Sequence, residues 1–599
     1  MTTTPAPVVE PPISDYALLG DTRTAALVSS AGRIDWLCVP SFDCEPIFGR
    51  LVGGPKSGSF EVTIGQIQES GRRYREHSAV LETSFRSATG TGKVTEGMVV
   101  GVSGRLLPQL LLVRRIDCDA GTLDVHLNFD PKLGLPGASP RAGRRAGALV
   151  CEWGSIALGM QSFPDLHVEP GKQAVAKLSA GTRLTLVMTL SDRCPVVLVP
   201  ENRAHELLEA TDRWWRGWVD DLSYSGPFAD TVLRSLITLQ LLTFAPSGAP
   251  VAAPTTSLPE VIGGSRNWDY RYSWPRDASI GLAAFLASGK QDAAHSYLHW
   301  LLHASRLSRP RLHVLYTLWG KPGPAERKRE GVSGYRRSLP VRVGNAASRQ
   351  HQLDLYGWVL DAAWLLTRAG TRLHAEFWRA FSAFADFAAG HWREPDAGIW
   401  EVRGEPEHFV HSKLMAWLCL DRALRISSVE RTSDRRKRRW TEQRDLLAAE
   451  IKERGFDRSR STYVRAFGSK DLDAALLILP VLEFEDDSSR ISGTIAAIRQ
   501  ELEIGGGLVY RYQRGSDQLD GMEGAFLACS FWLVQALARS GEQAEAIAMF
   551  EGLLELANDV GLFSEEIDPA SKEFLGNFPQ AFSHAALIQA ALSLRNESS

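Results

Sequence analysis

Cysteine is scarce in this chain, with seven residues in 599. None forms a CxxC pair or joins histidines at zinc-ligand spacing, so a zinc ribbon or finger is excluded and reduced cytoplasmic thiols are expected. An excess of either charge is also missing. Lys and Arg number 67 against 70 Asp and Glu, a formal net charge of −3. Nucleic acid and anionic membranes reward a strongly basic surface, so neither is expected as a partner. No apolar run approaches the roughly 18–20 residues of a membrane helix. The opening MTTTPAPVVEPPISDYALLG lacks the basic-then-apolar order of a secretory signal. It predicts a frayed, Pro-rich terminus over residues 1–12 and a soluble, cytoplasmic protein. Tryptophan, by contrast, is plentiful: seventeen residues call for a large core or an aromatic-lined site.

Two textures follow one another along the chain. Up to about residue 200, short runs such as SFEVTI, TLDVHLNF, ALVCEW and RLTLVMTL alternate or cluster β-branched residues between Gly, Ser, Asp and Pro turns. That pattern predicts an antiparallel β-sandwich over 13–200. ENRAHELLEATDRWWRGWVDDL then switches to helical periodicity and predicts a linker helix within 201–225. Beyond it, three- and four-residue apolar steps predict helices near 227–246, 276–288, 291–306, 350–370, 373–392, 408–424, 438–454, 471–482, 490–502, 523–540, 543–557 and 579–595. Twelve helices can pair as six hairpins of an α/α barrel, placed here over 226–599. The segments 263–277, 334–354, 396–413, 508–524 and 561–584 combine polar and aromatic residues and fall mostly on alternate connections. One rim could therefore gather them into a site.

The stretch SRNWDYRYSWPRDAS, residues 265–279, crowds Trp268, Tyr270, Tyr272 and Trp274 among Arg266, Asp269, Arg271, Arg276 and Asp277. A pyranose needs both features: aromatic faces for its C–H surfaces and charge-assisted bonds for its hydroxyls. An aromatic core with a buried Arg–Asp bridge would carry the same residues. Two acidic loops add chemistry. Glu401 follows Trp400 in GIWEVRGEPEHF, and Glu565 and Glu566 follow GLFS before the last helix. A glutamate against an aromatic wall loses hydration and holds its proton, while one in a wetter, more polar loop stays ionised. That difference suits acid/base cleavage of an acetal. Taken singly, each loop also fits a helix cap or a surface ion pair.

The motifs SRNWDYRYSWPRDAS, GYRRSLPVRVGNAASRQHQLDLYGWVLDA, GIWEVRGEPEHFVHSKLMAW, GSKDLDAALLILP, GGLVYRY and GLFSEEIDP…LGNFPQAFSHAALI occur in one order. Together they resemble glycoside hydrolase family 15, which includes glucoamylases, glucodextranases and bacterial-type trehalases. DYALLGDTRTAALVSSAGRIDWLCVPSFDCEPIFGRLVGG is similar to the N-terminal domain of the bacterial trehalase-like members. The resemblance runs from about residue 13 to about 595. It implies a β-sandwich joined to an α/α barrel, and single-displacement hydrolysis that releases β-glucose from the non-reducing end of an α-glucoside. By position it implies Glu401 as general acid and Glu565 as general base. Trp274, Arg276, Asp277, Trp400, Arg511, Glu566 and Gln352 would form the pocket for the glucose unit. No metal and no cofactor are expected, and the partner is a small di- or oligosaccharide.

The trehalase-like opening makes trehalose the leading substrate, with a glucoamylase-like or isomaltose- or dextran-cleaving activity as the alternative. An inverting disaccharide phosphorylase and a non-catalytic carbohydrate-binding protein are the readings from other classes. Three positions depart from the family's pattern. Pro275 stands where a larger apolar or hydroxyl residue is usual, and Trp358 where a glutamate is common. The Lys/Arg-rich WGKPGPAERKREGVSGYRRS, 319–338, replaces a more acidic segment. It fits a solvated basic loop, or one that shapes the leaving-group side or binds an anion such as phosphate.

Overall fold

The computed structural model describes residues 10–101, 110–513, 515–516, 521 and 523–595. Most of the expected frayed terminus lies outside these residues, but Pro11 already accepts a hydrogen bond from the Tyr335 hydroxyl (2.7 Å). Among the described residues between Tyr16 and Asp192 there are fourteen strands, and every pairing is antiparallel. The organising element is β1, Leu110–Asp130. Its first half pairs with Gly90–Met98 and Arg183–Asp192, and its second half with Ser59–Ile64 and Gln173–Ser179. It breaks where Asp119, Ala120 and Gly121 are exposed. Beyond that break Leu123, Val125, Leu127 and Phe129 alternate inward, the two-residue period of a half-buried strand. Phe129 meets Phe60 and Phe48 with ring centroids 5.2 and 6.0 Å away.

Helix α1, Glu201–Asp220, is a connection with two ends. Ala204, Leu207 and Leu208 pack on Val80, Val99, Leu111, Val113 and Val187 of the strands. Two turns later Trp215 is fully buried, and Trp218 meets Phe285 of the helical part edge-on.

The helical part contains α2 (Ala229–Leu241), α3 (Pro275–Ala287), α4 (Gln291–Ser305), α5 (Asp354–Arg368), α6 (Ala375–His391), α7 (Val410–Ile426) and α8 (Asp434–Arg454). A 3₁₀ segment, Ala474–Ile478, runs into α9 (Leu479–Leu482), followed by α10 (Ser488–Leu502), α11 (Leu527–Arg539), α12 (Gln543–Leu554) and α13 (Ala581–Ser593). In sequence, α3, α5, α7, the 3₁₀ segment, α11 and α13 each pack on the next, and α13 returns to α3. These elements are apolar nearly all round: every residue of α11 from Leu527 to Leu537 is buried. The alternate helices lie outside them and bury one stripe; in α8 only Trp440, Leu447 and Ile451 are buried. The predicted helix at 471–482 is instead a 3₁₀ segment, Ala474–Ile478, followed by a single α-helical turn, Leu479–Leu482. Pro480 has no N–H to offer the carbonyl four residues back, so an α-helix cannot run through the segment. Pro275 causes no such break, because it is the first residue of α3, where no N–H is required.

Candidate active site

The aromatic and charged stretch 265–279 divides into three tasks. Arg271 grips Asp269 through two bonds of 2.8 Å and donates to the Cys44 carbonyl, tying the helical part to the strands. Arg266 pairs with Glu523 at 3.0 Å. Arg276 and Asp277, at the start of α3, are joined to each other by a 2.6 Å bond and line a cleft together with Arg266, Trp268, Tyr270 and Trp274.

The cleft, with the solvent at its open mouth included, spans about 730 Å³. Trp274, Arg276, Asp277, Trp400, Glu401 and Arg511 all line it, although they come from three remote segments. Glu401 sits in a tight turn at φ +59°, where Gly398 (φ +69°) admits the ring of Phe409. A left-handed glutamate stores about 1–3 kcal/mol of strain, and such strain gathers at functional sites. Trp274 Nε1 donates to Glu401 Oε1 (2.7 Å), and Arg276 Nη1 lies 3.4 Å from the same oxygen. Oε2 takes no hydrogen bond among the described residues. Burial pushes the Glu401 carboxyl up and Asp277 adds to this, against the opposing pull of Arg276.

Glu565 and Glu566 lie one layer behind the cleft lining, both fully buried. Glu565 stands directly before the strand Glu566–Ile567, which is held between Ala525–Phe526 and Phe574–Leu575. The loop is therefore neither wet nor open, contrary to the sequence reading: Glu565 is the more buried of the two acids. Burial raises its carboxyl, and Glu260 raises it further. What favours its ionised form is first the charge of Arg511 and then donation, from Tyr270 Oη–H to Oε1 (2.6 Å) and Asn577 N–H to Oε2 (3.1 Å). Tyr270 itself lines the cleft, and its ring meets Trp274 edge-on at 5.6 Å. One short segment thus binds both acids, Glu401 through Trp274 and Glu565 through Tyr270.

Arg511 is the centre of a charge cluster. Its Nη2 lies 2.6 Å from Glu523, 3.0 Å from Glu566 and 3.1 Å from Glu260. Those three carboxylates stand close enough together to hold a cation, but the Arg511 guanidinium already supplies the positive charge between them. Trp400 stacks near Arg511 and donates to Asp473 (2.8 Å).

Gln352 is placed off the cleft. It is buried and donates to Gln350, which in turn holds the Glu401 and Val402 carbonyls (3.1 and 3.0 Å). Its neighbour in the motif is the one that reaches the acid loop. Trp358 faces the interior of the helical part, its ring 6.3 Å from His411. Tyr270, Glu260, Arg266 and Glu523 were not singled out as site residues from sequence. The hydroxyl of Tyr270, amid rings that lack one or lie elsewhere, was the one signal available.

A buried carboxyl in an aromatic cleft, a second carboxyl reached through a phenol, and an Arg–Asp pair beside them are the groups with which a glycoside hydrolase works. The family model "Glycosyl hydrolases family 15" matches residues 226–592, and "Trehalase-like, N-terminal" matches 8–108. The chain belongs to glycosyl hydrolase family 15. It is 35% identical to a trehalase of Mycobacterium tuberculosis, covering 97% of this chain and 89% of that one. It is 31% identical to a trehalase of Thermoplasma volcanium, covering 98% and 94%. A bacterial glucoamylase solved with acarbose matches 97% of this chain and 94% of its own, with a TM-score of 0.71 at 13% identity, a likeness of fold. Among the described residues no helix is long and apolar enough to cross a membrane.

Proposed function

We propose that this protein hydrolyses α,α-trehalose to glucose by a single, inverting displacement. The observation that carries the substrate is the full-length similarity to trehalases, which spans both parts of the chain. Arg276 and Asp277 grip neighbouring hydroxyls of the glucose at the closed end of the cleft, with Trp274, Trp400 and Arg511 around it. Glu401 delivers its proton from Oε2 to the glycosidic oxygen. The Trp274 and Arg276 donors on Oε1 then stabilise the carboxylate that remains. Glu565, aligned by Tyr270, takes a proton from water attacking the opposite face; inversion needs the carboxyls roughly 6.5–9.5 Å apart to admit that water.

The domain reading belongs to this proposal: a β-sandwich over 13–200, a linker helix within 201–225 and an α/α barrel over 226–599. The closed circuit of six inner elements with alternate helices outside supports the barrel, and the strand shared between two sets of pairings supports the sandwich.

The test is incubation with trehalose, maltose, isomaltose, panose and soluble starch, following glucose by NMR. Preference for trehalose supports the proposal, and preference for maltose, isomaltose or starch replaces it with the glucoamylase- or dextran-type activity. Glucose 1-phosphate in the presence of phosphate would identify a phosphorylase. Binding without turnover would identify a carbohydrate-binding protein.

A further inference from the structure

The basic segment 319–338 carries six Lys and Arg residues around Glu326. Two of its arginines are engaged in the fold: Arg329 pairs with Glu45 among the strands, and Arg336 with Glu573 at 3.3 Å. Glu326 is turned the other way. Its Oε1 accepts from Arg342 Nε (3.0 Å) and Arg403 Nη1 (3.2 Å). Its Oε2 accepts from Arg403 Nη2 (2.7 Å) and from the Ala346 N–H (3.3 Å). Both guanidiniums lie over the ring of Trp268, Arg403 at 4.0 Å and Arg342 at 4.5 Å. Trp268 is fixed from its edge by donation to Glu260 (2.9 Å).

Trp268 and Arg403 line the cleft with Val402, Asn345 and Ala347, and Arg403 is two residues beyond the acid. The oxygen that Glu401 protonates belongs to the leaving group, so the wall next to the acid loop borders the leaving group. Resting on the glucoside-hydrolase reading of the same cleft, we infer that Glu326 is a positioning residue for leaving-group selectivity. By holding Arg403 over Trp268 it closes the cleft beyond Glu401 to the size of one sugar ring. One carboxylate bridges two arginines stacked at one ring and offsets half of their charge. Without it the like charges repel, and Arg403, the more exposed of the two, moves away and leaves the cleft longer.

The experiment compares wild type and Glu326→Ala on trehalose, maltotriose and α-glucosyl fluoride, whose leaving group is not a sugar. The expected result is a loss of about tenfold or more in kcat/KM on trehalose relative to α-glucosyl fluoride, carried mainly by KM. Maltotriose should gain relative to trehalose. Glu326→Gln, which keeps the hydrogen-bond acceptor without the charge, should fall between the two and serves as the test if the alanine variant does not fold. Unchanged ratios in a wild type and variant that both hydrolyse trehalose overturn this inference alone. A wild type inactive on all three substrates overturns it together with the catalytic reading. A uniform loss across the three substrates, with a lowered melting temperature, shows a structural role only and also overturns it.

Discussion

Replacing Tyr270 with Phe removes one oxygen and tests how the candidate base is held. Burial and Glu260 push the Glu565 carboxyl up, while Arg511 and the Tyr270 hydroxyl pull it down. The phenol bond is short, 2.6 Å, and falls on a fully buried carboxylate. A hydrogen bond to a charged group contributes about 1.5–3 kcal/mol, and 1.36 kcal/mol corresponds to one unit of pKa. Removing it should therefore raise the carboxyl by about one to two units. The sign follows from the base being needed in its ionised form: a higher pKa leaves less carboxylate at any acidic pH. On the acid side of the profile, where the carboxylate form of Glu565 is the scarce one, kcat/KM should fall by the factor that corresponds to that rise. Asn577 still donates to Oε2, so the side chain keeps its position. The assay is kcat/KM on trehalose across roughly pH 4–9 for both proteins, since this parameter reports the free enzyme. Acid limbs that superimpose would refute the reasoning, and so would a shift to lower pH.

Three further outcomes follow from the same geometry. Glu565→Gln should lower turnover by about 10²–10⁴ while the melting temperature is retained, because a neutral amide replaces a carboxyl whose charge burial already disfavours; full activity would reject the assignment. Glu401→Gln should nearly abolish trehalose cleavage yet lose far less on α-glucosyl fluoride, which needs no proton on its leaving group; equal losses would remove Glu401 as the acid. Gly576→Ala places a Cβ 2.4 Å from Glu565 Oε2, at a backbone φ of +71°. It should cost activity and, by displacing the base, at least about 1 kcal/mol of stability in urea unfolding; wild-type behaviour would show that the loop yields freely.

Much of the architecture was legible in the sequence because it rests on periodicity. Inner helices such as Leu527–Arg539 are mostly apolar and bury nearly every residue, and strands such as the second half of Leu110–Asp130 show the two-residue alternation. The five polar-aromatic connections also meet at one cleft, as their spacing on alternate loops suggested. Burial of charge was not legible. Glu260 lies in an unremarkable SLPEVIGG, and nothing local shows that it faces Arg511 and Trp268 across the fold. Glu565 looked like a loop residue open to water. It is enclosed because two distant strands flank the one it precedes and Gly576 lets the chain close over it. Such enclosure is a property of the assembled chain, and the electrostatic roles of the acids change with it.

Inversion at a single glucose carbon is tested most directly by the anomers released in the first minutes of trehalose hydrolysis, before mutarotation mixes them, observed by ¹H NMR. Attack by water opposite Glu401 gives one β-glucose from the attacked ring and one α-glucose from the leaving ring, in equal amounts. Release of α-glucose alone would mean a double displacement and would contradict the roles given to Glu401 and Glu565.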